Sequence, residues 1–576
     1  MRSWKIVVAG VCLMVLCCAS PVWAAEKAPS VNAAGTVVNE MVVTATRTGK
    51  KADEAPASVT LVTREDMERL HIETLDEALQ HVEGLFVKRA KGLIESLPSV
   101  SMRGLYGQER TLVLLDGVPM NRGYASMVAW NMVAMDNVER IEVIRGPASA
   151  LYGGNAMAGV INIITSLPQK TEIGARMGYG TNETYSTAAY VGDRYERFSI
   201  RVGAEYEETA GYVNNLVTRS VSAGDGDLQG GYGATNVSGS PVWVVGDKGD
   251  QPASRYNINF TSAYNTTDTG QVRLNYQMGD HKYDYDNPNT YLTGPDGREA
   301  WKGTVNAGDG LKATVSPYNY VYYGGKAEEK FYLPSLTYRE RFGRLGFKGV
   351  LGYQHWHKMY TVATGYGDSN YDDSVGTRSD TWTNTWTLDL QGDITVFEKH
   401  LLTFGLYGRS DEMSQEDWNL SYYRNEDSKT TKNKIAEGND LLYAFYIQDE
   451  WRLLPSLTLY GGLRLDCWKA YNGKAGNVGE EMSFDEPDDS AISPKISAVW
   501  NPLADTFIRA SVGRAFRAPN LYELYRTWPS SSYINYSNPN LSPETLWNYE
   551  IGGDQYFWDR KIKVSMTLFH TDVEDA

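Results

Sequence analysis

The chain has 576 residues and a formal net charge of −16, which argues against nucleic acid as a partner because its phosphates would be repelled. Its 39 Tyr, 15 Trp and 55 Gly suit strands with aromatic rims and Gly-rich turns, in a membrane barrel or in a secreted β-sandwich or propeller alike. Beyond the first residues there is no run of about 18 apolar residues, so a mature chain that enters a membrane must do so as a barrel whose backbone groups pair between strands.

In chain order, residues 1–24 read as a secretory signal. Arg2 and Lys5 form the basic start, Ile6 to Ala19 the apolar run, and Val22-Trp23-Ala24 the cleavage site, so that the mature chain begins at Ala25. The apolar run is shorter than the ~20 residues of a spanning helix, which disfavours an anchor. Cys12, Cys17 and Cys18 leave with the signal, and Cys467 alone remains. No intrachain disulfide can then form, and Cys467 falls on the apolar face of a strand.

Residues 25–39 are small and polar, too little for a folded domain. Met41 to Ala45 alternates and can add as an edge strand to a partner sheet, or can be only the first strand of the next unit. That unit spans 52–166 and mixes short strands (Ser58 to Val62, Thr111 to Leu115) with a helical stretch from Thr74 to Val82, and Asp116-Gly117 supplies a turn. Gly146, Gly153, Gly154 and Gly159 suit tight backbone turns, since no Lys-Ser or Lys-Thr follows them as a phosphate loop requires.

From 167 to 576 the pattern is period-2. Between Arg197 and Glu207, Phe198, Ile200, Val202, Ala204 and Tyr206 share one face, while Ser199, Arg201, Gly203 and Glu205 share the other. Further strands read at 185–193, 254–264, 269–281, 329–341, 345–359, 380–393, 400–411, 441–453, 457–468, 492–502, 506–516, 545–557 and 561–571. Tight connections such as Phe342-Gly343-Arg344 and Trp558-Asp559-Arg560 alternate with long ones at about 208–253, 282–328, 412–440, 469–491 and 517–544, the asymmetry of outer-membrane barrels. A propeller would show a repeat of roughly 40 to 50 residues, and none is found.

Four segments together resemble one family. The run from Val138 to Thr165 resembles the second half of the plug of TonB-dependent outer-membrane receptors. Glu40-Met41-Val42-Val43-Thr44-Ala45-Thr46 resembles the family's TonB box, and Phe516-Arg517-Ala518-Pro519 and Asn538-Pro539-Asn540-Leu541 resemble its barrel motifs. The resemblance implies a mainly β fold, a transmembrane antiparallel β-barrel of the twenty-two-stranded type with an N-terminal α+β plug domain in its lumen. About fifteen strands are read, an odd number, and the expectation is a barrel truncated at its C-terminus.

The implied function is active uptake of a metal chelate across the outer membrane of a Gram-negative bacterium, with outer-membrane lipid around the barrel. The implied partner is TonB of the TonB–ExbB–ExbD complex, bound through Glu40, Met41, Val42, Val43, Thr44 and Ala45. Arg103 in Ser101-Met102-Arg103-Gly104 and Arg145 in Ile144-Arg145-Gly146-Pro147 look like the family's paired plug arginines, which face wall glutamates. Glu550 is the candidate partner, because Trp547, Tyr549 and Ile551 take the lipid face and leave it pointing inward. Glu523, in a loop reading, is a second, and a solvated glutamate bridged by water is the alternative.

The ligand is expected on the long loops, where Tyr283, Tyr285, Tyr291, Tyr318, Tyr320, Tyr322 and Tyr323 could stack on an anionic chelate or simply pack the loops. A ferric siderophore is the leading class. Haem is disfavoured because residues 520–537 hold no His, and His355 and His357 suit a membrane interface better. A cobalamin receptor would use loop aspartates for calcium, for which Asp284, Asp286, Asp485, Asp488 and Asp489 are candidates unless merely solvated. Outside the family, a passive porin would need neither plug nor box, and an enzyme would need a nucleophile elbow, zinc-spaced histidines or a phosphate loop, none of which is present.

Overall fold

The N-terminal unit is built on a five-stranded sheet whose strands are β1 (Ser58–Thr63), β2 (Thr111–Leu115), β3 (Val118–Pro119), β4 (Val138–Arg145) and β5 (Gly159–Thr165), in the order β1-β4-β5-β2-β3. Only β2 and β5 run parallel. All five residues of β2, Thr-Leu-Val-Leu-Leu, are buried, as an uninterrupted apolar run covered on both faces demands. Between β2 and β3 the chain reverses at Asp116-Gly117, both at positive φ, with the Asp116 carboxylate accepting from Thr165 N–H and Oγ1–H.

Two helices close one side of that sheet. Helix α1 (Arg64–Arg69) starts on a capping box, in which the Thr63 hydroxyl accepts from Asp66 N–H and the Asp66 carboxylate accepts from Thr63 N–H. Helix α2 (Leu75–Gln80) buries Leu75, Ala78 and Leu79, the i, i+3, i+4 stripe of an amphipathic helix. A third helix, α3 (Ser149–Tyr152), is a single turn that ends at Gly153 with φ 76. The computed structural model describes residues 41–89, 97–285, 287–322, 324–364, 374–529 and 534–574, so Glu40, Asp286 and Tyr323 lie outside it.

From Glu172 onward each alternating segment pairs antiparallel with the next. The strands are β6 (Glu172–Gly180), β7 (Thr184–Tyr195), β8 (Phe198–Thr209), β9 (Ala253–Tyr264), β10 (Gln271–Tyr283), β11 (Ala327–Phe342), β12 (Leu345–Ala363) and β13 (Gly376–Val396). They continue as β14 (His400–Leu420), β15 (Lys429–Leu454), β16 (Leu457–Asn477), β17 (Asp488–Leu503), β18 (Thr506–Arg517), β19 (Glu544–Phe557) and β20 (Ile562–Glu574). Together they form the single path of a sixteen-stranded sheet, whose remaining strand, Met482–Ser483, pairs only β16. Among the described residues β6 and β20 do not pair with each other.

The sheet is inside out by the standards of a soluble protein. On β8, Ser199, Arg201, Gly203 and Glu205 are buried while Phe198 and Val202 are exposed. Leu274, Leu336, Leu351 and Leu388 stand side by side on β10 to β13, all exposed. One step further along, Tyr353 packs on Trp386 at 4.7 Å. Such a row in water would forgo about 25 cal/mol for every Å² it could bury, whereas against lipid, with an aromatic girdle above it, it is the expected outer surface of a barrel. The five-stranded unit fills the inside, so the wall's inward polar residues meet protein.

The long connections differ from the expectation at two places. Strand β14 continues to Leu420 and β15 begins at Lys429, which leaves only 421–428 of the expected loop 412–440, and β16 reaches Asn477 inside the expected loop 469–491. Above the lipid the outward face of a strand is wet, while residues such as Met413, Ala436 and Ala470 stay buried on the inward face, so the backbone ladder persists while the apolar-out alternation that reveals it disappears.

The connections after β8 and β10 are not separate loops either. Ser222–Ala223 pairs with Leu311–Val315, Gln229–Gly230 with Leu292–Thr293, and Pro241–Asp247 with Asn289–Thr290. The resulting subdomain has its own core, which includes Val217, Leu228, Val245, Leu292, Val305 and Tyr320.

Candidate functional site

Met41–Val42 pairs with Lys50–Lys51, and residues 43–48 turn between them. The extended reading of Met41 to Ala45 therefore holds for two residues only. The reason is a buried carboxylate in the middle of β4. Glu142 Oε2 accepts from Val43 N–H at 3.0 Å, from Thr44 N–H at 2.9 Å and from Thr44 Oγ1–H at 2.6 Å. Asn162 Nδ2 donates to Thr44 Oγ1, and the Tyr152 hydroxyl donates to Thr44 O, both at 2.9 Å. Val42, Thr44 and Thr46 are buried, and Ala45 is half-buried.

The following residues are tied to the wall. Arg47, at φ 60, pairs with Asp389 of β13 at 2.5 Å, donates to the Leu151 carbonyl at 2.8 Å, and lies 4.3 and 4.5 Å from the Tyr152 and Tyr446 ring centres. Lys50 pairs with Glu450 of β15, both buried. Asp53 accepts from the Tyr556 hydroxyl, from Arg560 Nη2 at 2.6 Å and from Lys563 Nζ at 3.3 Å. Sequence reasoning missed these three anchors. An inventory of every inward-facing acid on the wall strands would have included Asp389 and Glu450.

Of the two expected arginines, Arg103 reaches Glu550, at 2.6 Å with both side chains buried. The contact is charge to charge rather than a directed hydrogen bond, since Nη1 has no acceptor in line. Arg103 sits at φ 54 just past the strand Ser99–Met102 and is thrown toward the wall. Gly146 leaves it room, because a Cβ there would stand 2.9 Å from Arg103 Nη1 and 3.2 Å from Glu550 Oε2.

Arg145 does not meet Glu550, which corrects the expected pairing. Its register opposite Ser58 on β1 keeps it inside the sheet, where it donates to Ser58 Oγ and Thr60 Oγ1, each at 2.8 Å, and pairs with Glu83 at 2.7 Å. Burial would raise the Glu83 carboxyl, but Arg145 beside it outweighs that and holds it below the usual carboxylate range. Among the described residues Glu523 pairs with no plug arginine. It caps the helix α4 (Leu521–Tyr525) and pairs with Arg517 at 2.9 Å. A second wall glutamate that receives a plug arginine is Glu544, 2.8 Å from Arg110 and 2.7 Å from Arg517.

The tyrosines expected at the ligand are mostly internal. Tyr283 and Tyr285 are buried beside Ala327. Tyr320 is buried in the loop subdomain with its hydroxyl 2.9 Å from Thr290 Oγ1, and Tyr291 donates to Asp247 at 2.7 Å. Burial pushes both phenols up to about 12. Tyr322 packs on Tyr318 with ring centres 5.3 Å apart, and its carbonyl accepts from Lys248.

Of the aspartates, Asp284 is half-buried, and Asp485, Asp488 and Asp489 are exposed. Among the described residues no three His, Cys, Asp or Glu side chains gather as metal ligands would. His357 pairs with Asp380 at 3.1 Å and stacks on Trp382 on the outward face, and Cys467 is a half-buried free thiol.

A plug tethered inside a barrel, with its N-terminal residues at the short-turn end, matches two family models. Residues 51–160 match the TonB-dependent receptor plug domain, and residues 165–576 the TonB-dependent receptor-like β-barrel. Two curated relatives are each 26% identical. One is an iron-regulated outer membrane virulence protein of Vibrio cholerae, aligned over 93% of this chain and 68% of its own length, and the other a vitamin B12 transporter of Vibrio vulnificus, over 93% and 70%.

The ferripyoverdine receptor of the Pseudomonas aeruginosa outer membrane has the same fold, with a TM-score of 0.62 at 15% identity over 92% of this chain and 65% of that one. The chain thus spans about two thirds of the length of the proteins it matches. It belongs to the TonB-dependent receptor family, non-catalytic plug-in-barrel proteins of the Gram-negative outer membrane that work with TonB.

Proposed function

We propose that the full-length protein imports a ferric siderophore, with energy delivered by TonB of the TonB–ExbB–ExbD complex to residues 40–46. The observation that carries this reading is the way residues 41–53 are stowed. They are held by hydrogen bonds to Glu142 and by ion pairs to the wall, contacts that water can replace as the segment leaves. A diffusion pore has no use for such a tether. Residues 1–24 serve as the export signal, and Arg103–Glu550 and Arg110–Glu544 hold plug to barrel.

The cargo class rests on relatives. The ferripyoverdine receptor and the iron-regulated virulence protein favour an iron chelate, and the vitamin B12 transporter keeps cobalamin as the second reading. The test is uptake of labelled ferric siderophores, cobalamin and haem by cells whose only such receptor is the full-length gene, with Val43→Pro as control. Proline removes the N–H that binds Glu142 and any donor to a partner strand. Uptake of a ferric siderophore that disappears in the control supports the reading. Uptake of cobalamin or haem alone would replace the cargo, and uptake insensitive to the control would point to a pore.

A further inference from the structure

The connection between β18 and β19 carries helix α4, which turns into the lumen and ends on the plug. The Tyr522 N–H donates to the Tyr124 carbonyl at 2.8 Å, and the two rings meet edge to face with centres 5.2 Å apart. Arg526 donates to the Tyr124 hydroxyl, which itself donates to Gln415 at 3.0 Å. Leu521, Leu524 and Tyr525 are fully buried and continue the plug's apolar core into the lumen.

The wall is shaped for this helix. Gly438 on β15 and Gly473 on β16 form a flat niche for the Tyr525 ring, since a Cβ at either position would stand 2.5 or 2.2 Å from ring carbons. Phe484 stacks on the other side, with ring centres 5.5 Å apart.

We propose that Asn520–Arg526 is an autoinhibitory strap that closes the extracellular approach to the plug at Tyr124. Its docking buries Leu521, Leu524 and Tyr525 completely but is poised for release. Among the described residues the buried Tyr525 hydroxyl has no hydrogen-bond partner, a penalty the docked state bears and the released state does not. What the strap excludes is, on the reading above, the chelate, which must displace it to reach the plug.

Two experiments on the full-length protein in intact cells, both in a Cys467→Ser background, test the strap. The first needs no cargo. Ala125, half-buried beside Tyr124, is changed to Cys and labelled from outside with an impermeant maleimide. Gly473→Ala, which fills the niche, and Tyr522→Ala, which removes the ring contact, should each raise the labelling rate at least tenfold. Unchanged rates in both would overturn the proposal.

The second pins the strap with Tyr124→Cys and Tyr522→Cys. Oxidation to the disulfide should lower siderophore uptake at least tenfold, with recovery on reduction, and normal uptake by the oxidised protein would overturn gating. If wild-type cells take up none of the probes, the cargo reading has failed, and the labelling rates alone decide the strap.

Discussion

The pairing of Arg103 with Glu550 can be measured as a coupling energy. Both side chains are buried and 2.6 Å apart, so removing either one leaves the other charged in a dry site, at a cost of about 3–5 kcal/mol. Removing both leaves neither member of the pair facing a missing partner. Arg103→Ala/Glu550→Ala should therefore lose little more than either single variant, which gives a coupling of about 3 kcal/mol, at the upper end for groups in contact.

Arg145 is the control. Its acidic partner Glu83 is 69% exposed, and exposed pairs contribute about 0–1 kcal/mol, so Arg145→Ala should combine additively with Glu550→Ala to within about 0.5 kcal/mol. The assay is urea-dependent opening of the plug in outer-membrane vesicles, read by labelling a cysteine placed at the buried Ala78. Additive effects of Arg103→Ala and Glu550→Ala would refute the direct pair and favour a water-bridged glutamate. Coupling of Arg145 instead would refute the register argument.

Further predictions concern the stowed segment and the loop subdomain. Glu142→Gln keeps the shape of the acceptor but removes its charge, so hydrogen bonds of the charged class, about 1.5–3 kcal/mol each, fall to about 1, and labelling at Val43→Cys should quicken at least tenfold. Asp389→Asn strands Arg47 against two rings and a carbonyl and should speed the same labelling.

Lys248 sits in the loop subdomain, where burial pushes its amine from 10.5 down to about 8. Between these values the unfolded subdomain holds a proton that the folded one has lost, so its stability should rise as pH goes from 8 to 10.5, with the penalty present in full below 8. Lys248→Met should abolish that rise in hydrogen exchange of residues 211–252.

The wall was legible because lipid outside and polar plug inside impose opposite chemistry on alternate residues. The β8 alternation and the inward position of Glu550 both follow from it. Alternation stops marking strands where lipid stops, which is why the tops of β14, β15 and β16 read as loops. The choice between ligand contact and loop packing for the tyrosines was hidden for a different reason: the core that holds Tyr320 joins two connections separated by β9 and β10, and no local pattern reveals such a pairing. The choice between Arg103 and Arg145 was equally invisible, because each precedes a glycine and only the register of β1 on β4 tells which is held inside the sheet.

The anchors of the stowed segment are ordered along the chain. Thr44, Arg47, Lys50 and Asp53 take hold of Glu142, Asp389, Glu450 and Arg560 in turn, three residues apart, or about 10 Å of extended chain between successive anchors. On the proposed coupling role, pull arrives from the N-terminal side and loads Thr44 first. Each freed anchor gains water before the next is stretched, so the contacts break in series. In parallel, their costs would add at one instant and approach the stability of a whole domain. In series, the peak resistance is that of the strongest single anchor, which lets one segment be secure at rest and yet removable by a modest force.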